Sequence, residues 1–164
     1  MKRKKELLVT AHCILNQNAV IKGWERASGP FSRIVKIVLD QNLGIIQLPC
    51  PEFRFGGEGR PPMTLQQYDT PAYREHCRQL LEPVVEEINE YRNKSYTIKG
   101  IIGIERSPSC DSKGNPGIYM QVLEGLLEKS GITMNSWDVP VDYQETEGFR
   151  DLTELKAFLL NQEI

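Results

Sequence analysis

The sequence predicts one α/β domain of three layers, with a mainly parallel sheet of about four strands, helices on both faces and a Rossmann-like architecture. Two observations carry this expectation. Short β-branched runs alternate along the chain with longer amphipathic segments, and the strand-then-helix order repeats four times. The length of 164 residues suits a single domain over 1–164. A chain of that size buries roughly two thirds of its unfolded surface and needs no disulfide staples.

The first strand is the apolar run Leu7-Leu8-Val9-Thr10, typical of a strand covered on both faces. A polar loop follows. Gly29-Pro30 then opens a helix whose Phe31, Ile34, Val35, Val38 and Leu39 share one face. Gly44 to Leu48 forms the second strand, and a loop rich in Gly and Pro runs from Cys50 to Pro62. Thr70 and Pro71 read as N-cap and first residue of a long helix reaching about Asn93. Pro83 inside it predicts a kink or a break. Ile98 to Ile104 is the third strand, and a polar loop leads on to Gly117. The next helix runs from Ile118 to Lys129 and closes at Gly131. Ile132 to Val139 is the fourth strand, and a last helix starts at Asp151 or Thr153 with Leu152, Leu155, Phe158 and Leu159 on one face.

Composition narrows the function classes. Hydrophobic residues at 40% and charged residues at 26% exclude disorder, collagen repeats and coiled coil as the main architecture. Lys plus Arg number 20 against 22 Asp plus Glu, a formal charge of -2, so no one-signed field exists to bind nucleic acid or an anionic membrane. The basic tip Lys2-Arg3-Lys4-Lys5 reads as a solvated end. The apolar stretch from Leu7 to Leu15 is interrupted by His12, lacks a cleavage site and is too short to span a bilayer. The expected compartment is therefore cytoplasmic, where the 4 cysteines stay reduced and point to metal binding or catalysis rather than bridges.

Three of those cysteines fall at equivalent places. Cys13 follows the first strand, Cys50 the second and Cys110 the third. In a parallel sheet all three lie at the carboxyl edge, where open α/β folds place their ligand crevice. No CxxC spacing is present, so topology alone brings them together. Cys77 differs: it shares a helical face with Tyr73, Leu80, Leu81, Val84 and Ile88 and reads as a small core hydrophobe.

Several occupants suit three thiolates. Zinc needs a fourth ligand, for which His12 and His76 are the candidates. His12 is disfavoured because neighbours on an extended chain point to opposite faces. A three-cysteine iron–sulfur cluster leaves one iron open as a Lewis acid. A dithiol redox site normally has closer spacing.

The blocks Thr10-Ala11-His12-Cys13-Ile14-Leu15-Asn16, Leu48-Pro49-Cys50-Pro51-Glu52 and Ser107-Pro108-Ser109-Cys110-Asp111 resemble the thiouracil desulfurase family, single α/β domains once catalogued as a domain of unknown function. The similarity is strongest over 7–127. It implies that Cys13, Cys50 and Cys110 hold a [4Fe-4S] cluster, one readily lost in air, whose open iron takes the sulfur of a thiolated nucleobase while C=S becomes C=O without net redox change. Ser107 is the catalytic candidate the resemblance supplies; Glu52, two residues after Cys50, is the acid/base choice. The expected partner is a small thiolated molecule, with no nucleic acid and no membrane. This chain departs from the family's first block at Asn16, where a glycine is common. Two other readings stay open: a non-catalytic zinc or iron–sulfur module, and a plain α/β interaction domain.

Three further features bear on the site. The Phe55-to-Arg60 loop contains closely spaced glycines that permit near approach of a ligand, but it is not a dinucleotide fingerprint. Arg54 and Arg60 are either anchors for an anionic group or ordinary surface residues. Trp24 and Arg26 sit in the loop after Cys13, where stacking on a planar base competes with packing of the loop; packing is the expectation for Trp24.

Overall fold

The computed structural model describes residues 1–146 and 151–161. Leu8 and Val9 are fully buried, as a strand covered on both faces requires, and β1 (Glu6–Thr10) lies inside the sheet. It pairs in parallel with β2 (Gly44–Gln47) on one side and β3 (Thr97–Ile104) on the other; β4 (Ser136–Val139) pairs in parallel with the far side of β3. Among the described residues the sheet has four strands in the order β2-β1-β3-β4. The expected three-layer α/β domain, with helices on both faces, is the fold that forms.

Register decides where the site sits. Thr10 stands opposite Gln47 of β2 and Ile102 of β3, so these strands end near one level. The chain passes from β1 to β2 in one direction and then crosses back over β1 to reach β3. Such a reversal of strand order opens a crevice beyond the carboxyl ends of the strands.

The helices supply the layers. In α1 (Ser32–Asp40), Ile34 and Val38 are buried. The long α4 (Pro71–Asn93) buries Tyr73, Cys77, Leu81, Val85 and Ile88 and packs against α5 (Ile118–Lys129). Cys77 is fully buried, as a core thiol should be. The last helix, α6 (Thr153–Leu160), buries Leu155 and Leu159 beside β4. Among the described residues no helix is long and apolar enough to cross a membrane.

The structure corrects three local expectations. Pro83 does not divide the long helix: α4 is continuous from Pro71 to Asn93. Buried residues on both sides of Pro83 hold the helix to the core, outweighing the loss of one backbone hydrogen bond. The loop expected from Cys50 to Pro62 contains α2 (Pro51–Gly56), and α3 (Leu65–Tyr68) follows it. Both carry start signals: Cys50 caps α2 with Pro51 as its first residue, and Thr64 with Gln67 forms a reciprocal capping box on α3. Finally, β4 begins at Ser136 rather than Ile132, because the Ile132 N–H donates to Leu127 O and closes α5 instead of entering the sheet.

Candidate functional site

A cavity of about 410 Å³ opens where the crevice is expected, and Cys13, Cys50, Cys110, Ser107 and Glu52 all line it. The three cysteines arrive from the ends of β1, β2 and β3. Cys13 sits in a 3-10 turn (His12–Ile14) directly after β1. Cys50 is the N-cap of α2, where its Sγ accepts the Phe53 N–H at 3.4 Å. Cys110 closes the loop after β3 and is 9% exposed.

The thiols feel one another electrostatically. Burial, followed by the neighbouring Cys50, pushes the Cys13 thiol up to about 12. Burial also raises Cys50, opposed by the Phe53 N–H. Cys110 is raised well above the usual thiol range, first by burial and then by Cys13 and Cys50. Thiols raised in this way stay protonated at neutral pH. Among the described residues, no group of three or more His, Cys, Asp or Glu side chains is drawn together closely enough to hold a metal ion.

The turn after β1 changes the expectation for His12. In a 3-10 turn successive side chains are about a third of a revolution apart, so His12 and Cys13 line the same cavity instead of facing opposite ways. The imidazole is held in place: His12 Nδ1 lies 3.1 Å from Leu48 O, and Asn16 Nδ2 lies 3.5 Å from its Nε2. His76 is elsewhere, with Nε2 2.9 Å from Pro51 O, where it ties α4 to α2.

Each cysteine loop is braced by polar contacts. Gln17, 3% exposed, donates from Nε2 to Cys13 O at 2.9 Å and accepts the Arg26 N–H at 2.9 Å. Tyr119 Oη donates to Pro49 O at 2.9 Å, beside Cys50. Ser107 Oγ accepts the N–H groups of Cys110 at 2.9 Å and Ser109 at 3.3 Å, which leaves its own hydroxyl proton free. Ser109 is fully buried and its Oγ lies 2.7 Å from Tyr73 Oη. Asp111, 3% exposed, accepts from the backbone of Arg106, Lys113 and Gly114. Gly117 lets this loop close, because a Cβ there would collide with the backbone of Ser109.

Glu52 lies in the first turn of α2, with Oε1 4.0 Å from Arg60 Nε and side chains 13% and 6% exposed. Arg60 is thus no surface residue. It donates to Ala19 O at 2.8 Å and Gly57 O at 3.1 Å, and its Nε is buried without a hydrogen-bond partner. Tyr68 is raised by burial and then by the charge of Glu52 beside it. Arg54 is exposed and lies outside the cavity lining.

Over 145 residues the chain is 41% identical to Uncharacterized protein MJ0003 of Methanocaldococcus jannaschii, a stretch covering 88% of this chain and 92% of that one. The chain belongs to that protein's family. No family model and no solved structure matches it.

In this family member several site residues escaped the sequence reasoning. Tyr73 read only as helix face, and Asp111 only as part of a motif. Two signals were legible in the sequence: the Ser-Pro-Ser-Cys-Asp block marks a turn in which hydroxyls and a carboxylate bond the backbone, and Thr-x-x-Gln marks α3. The burial of Arg60 had no local signal. Trp24, expected to pack its loop onto the domain, instead is 61% exposed and lines the cavity. Arg26 does the tethering: its Nη1 donates to Pro140 O at 2.7 Å, Val141 O at 3.2 Å and Tyr143 O at 3.3 Å. That takes up the loop's anchorage and leaves the indole free.

Proposed function

We propose that this protein removes sulfur from a small thiocarbonyl compound, a thiolated pyrimidine, converting C=S to C=O and releasing sulfide, with Cys13, Cys50 and Cys110 holding a [4Fe-4S] cluster. The observation that carries the reading is the meeting of three thiols from three strand ends in one cavity that Ser107 and Glu52 also line. The net change consumes one water and yields one hydrogen sulfide, so no oxidant or reductant is needed.

The residues suit such a group. The three thiols line one cavity of about 410 Å³, which has room for an occupant larger than a single ion. The donor set is soft, as iron–sulfur clusters require. Three thiolates in a desolvated wall need positive charge nearby. Arg26 and Arg60 line the same cavity, and Arg60 Nε is a buried donor without a hydrogen-bond partner. When bound, a cluster with three protein ligands supplies an open, soft Lewis acid for the substrate's sulfur.

The chain's own groups manage protons and water. Ser107, its oxygen occupied by two backbone N–H groups, donates its hydroxyl proton to the substrate or to water. Glu52, oriented by Arg60, takes a proton from the attacking water and returns it to the departing sulfur. Apolar side chains lining the cavity, among them Ile21, Met63, Ile104 and Val141, exclude bulk water.

The test is anaerobic reconstitution with iron and sulfide, followed by parallel measurement of 2-thiouracil loss and sulfide release. Both are expected in equal amounts, and Cys50→Ala abolishes them. Full activity in Cys50→Ala overturns the assignment. Stoichiometric zinc without iron after anaerobic purification overturns it too, in favour of a non-catalytic metal module.

A further inference from the structure

We infer that Trp24 is a specificity residue of this cavity, the platform against which a flat heteroaromatic ring of the substrate lies. The inference rests on the desulfuration reading for the chemistry and extends it to what the mouth of the cavity selects. Trp24 lines the cavity while 61% of it stays exposed. An indole normally gives up that much water contact when the fold offers cover, so its exposure at the rim of a concave site marks a surface awaiting an apolar partner.

The indole is presented rather than dangling. The Trp24 N–H donates to Ile21 O at 2.9 Å, closing a tight turn whose third residue, Gly23, has φ +90°. A side chain at Gly23 would meet no steric obstacle, so the backbone angle is the reason for glycine. The Gly23 N–H also donates to Glu25 Oε2 at 2.6 Å. Immediately after the turn, Gln17 holds the Arg26 N–H and the Arg26 guanidinium grips the chain beyond β4. Both ends of the short segment carrying Trp24 are therefore fixed.

The surroundings select the occupant. Val20, Ile21 and Val141 line the cavity with Trp24, and Val141 is 46% exposed. The thiols, Ser107 and Glu52 supply polar chemistry in the same cavity. A planar heterocycle satisfies both kinds of surface, with its faces against apolar side chains and its edge toward the polar groups. An acyclic thiocarbonyl compound reaches the thiols without using Trp24.

The chain has 2 tryptophans, and the other, Trp137, is 7% exposed. A Trp137→Phe protein isolates the fluorescence of Trp24; if that variant does not fold, the difference between the unaltered protein and Trp24→Phe reads the same signal. Uracil, which has the ring and no sulfur, is expected to quench Trp24 saturably. Non-planar 5,6-dihydrouracil is expected to need roughly ten-fold more, and acyclic thiourea to leave the fluorescence unchanged. In the reconstituted protein Trp24→Ala raises KM for 2-thiouracil roughly ten-fold with kcat nearly unchanged, and Trp24→Phe restores most of the loss. Quenching by uracil in a protein that performs no desulfuration upholds the platform and removes only the chemistry. Desulfuration with no uracil quenching, and an unchanged KM in Trp24→Ala, overturns the platform and leaves the chemistry standing.

Discussion

Arg60 Nε lies 4.0 Å from Glu52 Oε1, with both side chains almost wholly enclosed in the cavity wall. The pair joins the α2 turn that carries Cys50 to the loop after it, and Arg60 reaches on to Ala19 O in the loop following β1. One guanidinium thus links the surroundings of two cysteines.

Glu52→Gln keeps the shape of the carboxylate and removes its proton chemistry. Under the proposed function it is expected to fold normally, to load iron as the unaltered protein does and to release sulfide about 10²–10⁴-fold more slowly. Arg60→Met leaves Glu52 without its cation and frees two backbone carbonyls. Its expected cost is about 3 kcal/mol of stability by urea denaturation. A Glu52→Gln protein with undiminished turnover removes Glu52 from the chemistry.

Arg26 holds the segment after β4 through three backbone carbonyls, and burial lowers its pKa. Arg26→Met is expected to cost about 1–2 kcal/mol and to lower the iron retained per chain after anaerobic gel filtration. Arg26→Lys keeps the charge but not the planar guanidinium that places Nη1 among the three carbonyls, so its retention falls between those of the unaltered protein and Arg26→Met.

Burial keeps Cys13 protonated up to about 12 and Cys110 beyond the usual range. Under the proposed function iron displaces those protons, so its uptake is expected to strengthen as pH rises and weaken in acid. Chelator competition at a series of pH values measures this directly. A flat profile would mean that the thiols do not ligate.

Gly117 packs against the backbone of Ser109, one residue before Cys110. Gly117→Ala is expected to cost about 3 kcal/mol and to reduce loading of the proposed cluster, because the loop must open to admit a methyl group. Gly125, inside α5, has open space where a Cβ would sit. Gly125→Ala is expected to stabilise by about 0.5–1 kcal/mol, and thermal denaturation of the two variants reads the contrast.

At the amino end of β1, Glu6 lies 2.6 Å from Lys4 Nζ and 3.4 Å from Lys99 Nζ on β3. Lys4, followed by Lys99 against an opposing burial effect, lowers the Glu6 pKa below its ordinary 4.5. A depressed carboxyl contributes stability above its unfolded pKa and loses it as pH falls through the folded one. Glu6→Gln should therefore lower Tm at neutral pH, with the difference closing in acid.

The apolar run Leu7 to Thr10 and the Thr70-Pro71 start of α4 are local signals that appear where their patterns place them. In α1 the face holds for Phe31, Ile34 and Val38, but the helix begins at Ser32 and Leu39 is 56% exposed. Pro83 and Ile132 mislead because tertiary packing and helix closure outweigh local preference. Within the site, strand order suffices to bring Cys13, Cys50 and Cys110 to one edge. The side-chain directions there are a different matter. His12 joins the cavity only because the chain turns sharply after Thr10, and Trp24 faces it only because Arg26 takes over the anchoring of the loop.

Periodicity and chain order are thus enough to establish a parallel α/β domain and the edge at which its thiols meet, since both follow from contacts between near neighbours and the handedness of the connections. Folding in three dimensions alone decides that Arg60 is buried against Glu52, that His12 joins the thiols in lining one cavity, and that Trp24 lines it while staying exposed. Those outcomes depend on residues distant in sequence competing for the same hydrogen bonds and the same volume, and no local pattern encodes which of them wins.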